Sequence, residues 1–180
     1  SICEGAIKID NLKDFCKERK IQTVGLSDTS NLCGALEFAE NISKIGTQPI
    51  IGTQINFKFE DTIGLIPLIA LNSDGYKRII ELSSKSYLEN DVLSEPHCDI
   101  AELYKNSKGV LILSGSIQGL FGKLFDKGRF SEIHKIYQKI LSTFNDRFYL
   151  EIQRHGNQNE NNCFKLERMG SFETHYCGSS

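Results

Sequence analysis

Three side chains combine the chemistry of strong ligands or proton carriers with a placement that suits it: Asp28, Glu151 and His155. A carboxylate brings charge to a hard cation, and an imidazole brings a nitrogen donor or a proton shuttle near neutral pH. Asp28 closes the β-prone run Thr23-Val24-Gly25-Leu26-Ser27, while Glu151 and His155 lie along or just after Phe148-Tyr149-Leu150-Glu151-Ile152-Gln153. In parallel β/α folds the loops after strand C-termini converge on one face, so strand ends are where working residues collect. The same placement selects uncharged donors: Thr29, Asn31, Gln54, Ser114, Ser116 and Gln153. Each charged candidate also has a structural reading. Asp28, ahead of Thr29-Ser30-Asn31, suits an Asx-turn or a helix cap. Glu151 inside a strand points to solvent or into a barrel mouth, and His155 before Gly156 suits a strand end.

Further searches return little. His97-Cys98, Cys163 and His175-x-Cys177 lack the paired short spacing of structural zinc sites. His134 falls in an amphipathic pattern, where a solvated position is the default. Gly115-Ser116-Ile117-Gln118-Gly119 places its Ser directly after the first Gly and is not the strained Gly-x-Ser-x-Gly elbow. There is no Gly-x-x-x-x-Gly-Lys cradle and no dinucleotide fingerprint after the first strand.

The elements that must carry these residues alternate. Ile9, Leu12, Phe15 and Cys16 predict a first helix with Asp10 or Asn11 as cap, followed by the strand at 23–28 and a helix over 32–45 closed by Gly46. Residues 49–57 and 65–71 predict strands, the second buried on both faces. Helices follow over 75–87, with Tyr76, Ile79, Ile80 and Ser83 on its face, and after Asp99, which can cap Ile100, Leu103 and Tyr104. A buried strand over 109–115, helices over 117–125 and 131–144, and a strand over 148–153 complete the pattern. Strands alternating with helices imply a parallel α/β architecture, either a barrel or a doubly wound sheet. From 157 to 180 the Asn-rich sequence loses its period and predicts an irregular tail, with a weak helical signal at 164–169.

The chain has 180 residues, 39% of them apolar, which suits one domain with one sizeable core. A formal net charge of −2 excludes the global positive field that draws proteins onto nucleic acid without sequence preference. Six irregularly spaced cysteines without a CxxC pair point to reduced thiols in a cytoplasmic protein. No apolar run approaches the roughly 20 residues that cross a bilayer, so no membrane partner is expected.

Six stretches in order carry a resemblance: Glu4-Gly5-Ala6-Ile7-Lys8-Ile9, Leu26-Ser27-Asp28-Thr29-Ser30-Asn31-Leu32-Cys33-Gly34, Pro49-Ile50-Ile51-Gly52-Thr53-Gln54, Ala70-Leu71-Asn72-Ser73-Asp74-Gly75-Tyr76, Leu113-Ser114-Gly115, and 148–156. Together they resemble the polymerase-and-histidinol-phosphatase (PHP) domain of the bacterial DNA polymerase III α subunit, DnaE type. The resemblance covers roughly residues 1–160. It implies a distorted (β/α)7 barrel, incomplete here because the first and last strands are missing, with a partial PHP domain over 1–156 and the tail over 157–180. Active members of the family hold divalent metals at the barrel mouth for phosphoester hydrolysis, because bound metals generate hydroxide near neutral pH and neutralise phosphate charge.

This chain departs from the family pattern at the ligands. The opening His-x-His would lie before Ser1, the motif-two His is Thr29, the strand Glu is Gln54, the next strand's His is Leu65, and the Cys after Ser-Gly is Ser116. Asp28 alone of the motif-two acids persists, so Asp28, Thr29, Gln54, Leu65 and Ser116 read as vestigial positions. The resemblance implies a non-catalytic piece with no cofactor and no metal, acting through packing and through docking of a proofreading exonuclease. The rest of the polymerase α subunit is the other implied partner, and DNA is met only through polymerase domains elsewhere. An active metal-dependent phosphoesterase or 3′-5′ exonuclease using Asp28, Glu151 and His155 with Zn or Mn is the alternative, and a histidinol-phosphate type phosphatase is a third reading. Nucleotidyl transfer is not expected of this segment.

Overall fold

The computed structural model describes residues 7–153 and, for the backbone alone, 175–178. In chain order the elements are α1 (Ile9–Glu18), β1 (Thr23–Thr29), α2 (Ala35–Ser43), β2 (Gln48–Phe59), β3 (Thr62–Ala70), α3 (Ser73–Leu88), β4 (Cys98–Asp99) and α4 (Ile100–Leu103). Then follow β5 (Val110–Leu113), α5 (Leu120–Asp126), α6 (Phe130–Phe144), a single 3-10 turn, β6 (Phe148–Ile152) and β7 (His175–Gly178). The strands form one sheet in the order β1-β2-β3-β5-β6-β7, with β4 pairing to β2. β1 and β7 are not paired to each other, so the sheet is a mixed α/β half-barrel rather than a closed one.

The parallel architecture needs one correction. β3 runs antiparallel to both β2 and β5, while the β1–β2, β2–β4, β5–β6 and β6–β7 pairs are parallel. The cause is the link between β2 and β3, which is only Glu60 and Asp61, too short for the crossover a parallel pair needs. Glu60 takes a left-handed φ of 53° to make that turn. The expected two-sided burial of the 65–71 run holds only in part: Ile66, Pro67 and Leu68 are buried, Leu65 and Ile69 are half-buried, and Leu71 is 51% exposed. The irregular tail expected over 157–180 contains β7, whose backbone satisfies the otherwise unpaired edge of β6. The weak helix at 164–169 lies outside the described residues.

Local chemistry explains the remaining shifts. Lys8, not Asp10 or Asn11, occupies the cap position of α1 without a side-chain bond, and Asp10 instead pairs with Lys13 at 3.3 Å. The α5 start moves to Leu120 because Ser116 takes the preceding turn, its Oγ accepting from Gln118 N at 3.2 Å and its carbonyl from Gly119 N at 2.9 Å. On α3 the buried stripe is Gly75, Arg78, Ile79, Leu82 and Ser86, whereas Ile80 is exposed. Asn72 caps α3 by accepting from Gly75 N at 3.0 Å, and Asp99 caps α4 by accepting from Ala101 N at 2.7 Å.

One face of the sheet carries the main core. Ile55 and Phe57 of β2, Ile66 and Leu68 of β3, Val110 and Ile112 of β5, and Phe148 and Leu150 of β6 pack against apolar residues of α3, α5 and α6. A smaller cluster of Cys16, Phe38 and Ile42 joins α1 to α2. Arg78, 4% exposed, crosses from α3 to α4, with Nη2 donating to the Glu102 carbonyl at 2.6 Å and Nη1 2.8 Å from Glu81. Glu102 also meets Lys105 at 2.6 Å and Lys85 at 3.0 Å. Those two hydrogen bonds, Lys105 first, hold the Glu102 carboxyl below its usual range.

Two stability predictions follow from this packing. A depressed carboxyl stabilises the fold above its unfolded value near 4.5 and loses that contribution as pH falls through the folded value. Glu102→Gln is therefore expected to lose less stability than the parent on acidification below about pH 4.5, read from urea midpoints across pH. A Cβ at Gly75 would sit 1.8 Å from the Gly109 carbonyl oxygen. Gly75→Ala is expected to destabilise the chain by about 1–3 kcal/mol or more in urea unfolding, because both partners are backbone and cannot rotate away.

Candidate functional site

Strand register decides which candidates meet. Paired residues on neighbouring strands project to the same face, and the face alternates residue by residue along each strand. Thr29 pairs with Gln54 across β1 and β2, Gln54 with Pro67 and Asn56 with Leu65 across β2 and β3. Ile69 pairs with Leu111, and Leu113 with Tyr149. Thr29, Gln54, Leu65, Leu113, Tyr149 and Glu151 therefore share one face, opposite the core face. All six are half-buried, as expected for the less covered side of a curled sheet.

They also share one end. β1 and β6 finish there and antiparallel β3 starts toward it, so Leu65 near the beginning of β3 joins Thr29 and Glu151 near the ends of theirs and Gln54 in the middle of the longer β2. Gln54 and Leu65 are diagonal neighbours, a separation of roughly 7–8 Å between such positions. Ser116 reaches the same end through the turn after β5. Gly115 there has φ +76°, and a Cβ on it would lie 3.1 Å from Pro67 Cδ and 3.4 Å from the Leu65 carbonyl, so this turn rests against β3 beside Leu65.

Ser114 ties the turn to β6. It is 3% exposed, its Oγ accepts from Glu151 N at 2.9 Å, and its own N–H donates to the Tyr149 carbonyl at 2.9 Å. Glu151 in turn receives the Gln153 side-chain amide on Oε1. Of the two positions read from sequence as solvent or barrel mouth, Glu151 takes the mouth side.

Asp28 does not join this group. One residue from Thr29, it faces the helix side, 6% exposed, beneath Gly34, where an added Cβ would lie 3.5 Å from Asp28 Oδ2. The cap position of α2 is Gly34, which makes no side-chain bond. The turn role falls to Asn31, whose Nδ2 donates to the Thr29 carbonyl at 2.9 Å and whose Oδ1 accepts from Cys33 N at 3.1 Å. Asp28 is held inside β1 by its pairing with Thr53, whose Oγ1 donates to the Asp28 carbonyl at 2.7 Å. His155 lies outside the described residues, as do Cys163 and the side chains of His175 and Cys177. Among the described residues, no three His, Cys, Asp or Glu side chains gather as a metal-binding group. Cys98, from the considered zinc set, is buried with its Sγ on the Leu82 carbonyl, and burial pushes its thiol up to about 11.

The register adds Asn56 to the candidate face, a residue the sequence reading passed over. It is 6% exposed and donates to Glu95 Oε1 at 3.0 Å and to the Pro96 carbonyl at 3.3 Å, closing the face on one side. Its two-residue spacing from Gln54 was the available signal.

Comparisons with known proteins agree with this architecture. A family model described as the PHP domain matches residues 1–155. The chain is similar to the DNA polymerase III subunit alpha of Caulobacter vibrioides, 36% identical over 169 residues, covering 87% of this chain and 14% of that protein. The corresponding subunit of Borreliella burgdorferi is 34% identical over 167 residues, covering 87% and 14%. This chain thus spans about one seventh of the length of these relatives. A crystal structure of a putative metal-dependent phosphoesterase from Bifidobacterium adolescentis superposes with a TM-score of 0.56 at 12% identity, over 98% of this chain and 82% of that one, a likeness of fold. Among the described residues no helix is long and apolar enough to cross a membrane.

Ser114 holds the turn on which this end of the sheet depends. Ser114→Ala, which leaves the Glu151 N–H without its acceptor, is expected to cost about 1–3 kcal/mol in chemical unfolding and to speed amide exchange at Glu151.

Proposed function

This chain belongs to the PHP domain family, and we propose that it serves DNA replication as the PHP segment of a DNA polymerase III α-type polypeptide, in a structural and docking role rather than a hydrolytic one. The relatives' names and their far greater length support the first half of this reading. The observation that carries the second half is the set Thr29, Gln54, Leu65 and Ser116, gathered at one end of one sheet face. A cluster of divalent cations needs carboxylates to offset its charge and imidazoles as nitrogen donors. Two hydroxyls, an amide and an isobutyl group supply neither, so the donor set does not fit such a cluster, and no hydrolytic step is derived through it.

What this arrangement does instead is mechanical. The core face and the candidate face lie on opposite sides of the same sheet, so the ligand positions can turn neutral without disturbing the packing that holds the fold. A folded PHP segment of this kind packs against the rest of the polymerase α subunit and offers a surface to a separate proofreading exonuclease, with DNA met through other parts of the polypeptide. The role belongs in the cytoplasm, where replication proceeds. The hydrolytic alternative using Asp28, Glu151 and His155 draws no support from the described residues, because Asp28 and Glu151 face opposite sides of the sheet.

Elemental analysis of the folded chain and calorimetric titration with zinc and manganese test the reading. Neither metal is expected at stoichiometric level, and phosphodiester substrates are expected to remain uncleaved. Stoichiometric binding that Glu151→Gln abolishes would overturn the non-hydrolytic role. Conversely, the combined replacement Thr29→His, Gln54→Glu, Leu65→His and Ser116→Cys is expected to confer zinc binding in the same titration, since it restores charge and imidazole donors at adjoining positions.

A further inference from the structure

The two ends of α3 carry opposite surface chemistry. At its C-terminal end Leu88, Val92 and Leu93 are 82%, 101% and 100% exposed, an apolar projection rather than scattered surface residues. The same segment holds Glu89, Asp91 and Glu95 and no cation, with Glu89 engaged by Lys85 of α3 at 3.3 Å and Asp91 exposed. Its backbone is pinned. Asn90 Nδ2 donates to the Ser86 and His97 carbonyls at 2.7 Å each, Asn56 grips Glu95 and Pro96, and Ser94 N donates to the Asp91 carbonyl at 2.8 Å. A pinned loop presents its apolar tips without the ordering cost that a free loop would meet on binding.

At the N-terminal end of α3 lies an open cleft of about 380 Å³ lined in part by Pro49, Ile50, Leu71, Tyr76 and Lys77, with Leu71 51% exposed. It adjoins a second cleft of about 590 Å³ that shares Lys77 and is edged by Lys108. Lys85 and Lys105 pair with Glu102, and Lys127 and Arg129 pair with the β2–β3 turn. Among the described residues Lys77 and Lys108 instead face the clefts without an ion pair, against Asp74 and a Glu81 that Arg78 already engages at 2.8 Å.

An apolar projection set among carboxylates and an apolar cleft edged by free ammonium groups are complementary. They lie toward opposite ends of the rigid helix α3, Lys77 and Leu88 being separated by about 16 Å at 1.5 Å per residue, so they cannot meet within one molecule. We propose that the chain associates head to tail with a second copy of itself, the 88–95 segment of one seated in the Leu71–Lys77 cleft of the next. Leu88, Val92 and Leu93 enter the cleft, and Asp91 approaches Lys77 and Lys108. The contact is heterologous, so each copy keeps one unused half and the association extends into rows or rings. Its small area sets it among weak contacts.

Sedimentation equilibrium of the 180-residue chain tests this. The weight-average mass is expected to climb above that of one chain with a Kd of roughly 10–1000 µM, and to fall back as salt rises. Val92→Ser with Leu93→Ser removes the projection, and Lys77→Glu with Lys108→Glu reverses the cleft rim. Each double variant alone is expected to stay monomeric, with unchanged far-ultraviolet dichroism because every position is exposed. An equimolar mixture of the two is expected to form a one-to-one dimer that grows no further, since only one projection and one cleft remain. Leu71→Ser provides a second cleft variant that leaves charge untouched. A chain that stays monomeric up to about 1 mM, association that survives either double variant, or a mixture that stays monomeric would each overturn the proposal.

Discussion

The structure depends on the pairing of one long strand. β2, twelve residues from Gln48 to Phe59, bonds to β1 along its first half, to β4 near its end and to β3 along eight residues of a two-residue hairpin. Because side chains alternate along a strand, that single register decides which face every neighbour presents. Ile55 and Phe57 go to the core, so Gln54 and Asn56 go to the other side. A slip of one residue would exchange these sets, taking the fully buried Ile55 and Phe57 out of the core and turning the Gln54 and Asn56 amides into it. The penalty for that exchange locks the candidate face in place.

The same division keeps the packing of the fold apart from Thr29, Gln54, Leu65 and Ser116. Stability comes from the helix-covered face and from clamps outside the candidate face. The chief clamp is Arg78, which bridges α3 to the Glu102 carbonyl while Glu102 collects Lys85 and Lys105. None of these groups touches Thr29, Gln54, Leu65 or Ser116. The two tasks of holding the fold and holding a ligand are carried by different sides of one sheet, so change on one side leaves the other intact.

Surface chemistry is divided as well. With a formal charge of −2 and no general positive field, the chain has little to offer a phosphate backbone. Its distinctive surface features are local: a pinned apolar loop among carboxylates and a cleft with unpaired lysines.

The sequence by itself determined the existence and type of most elements, because period-2 and period-3.6 patterns are local properties that need no partner. It also determined the family, through six short stretches in order. Tertiary structure decided the rest. The direction of β3 followed from a two-residue turn at Glu60-Asp61 that the sequence reading placed inside a longer connection. Asp28 looked like the natural companion of Glu151 by type and by strand-end placement, yet register put it on the opposite face, because facing depends on which residue of a neighbour it pairs with. Arg78, an ordinary cation within a helical pattern, is a buried clamp because α4 folds over it. β7 left no apolar period to find, since an edge strand held by backbone bonds to β6 needs none.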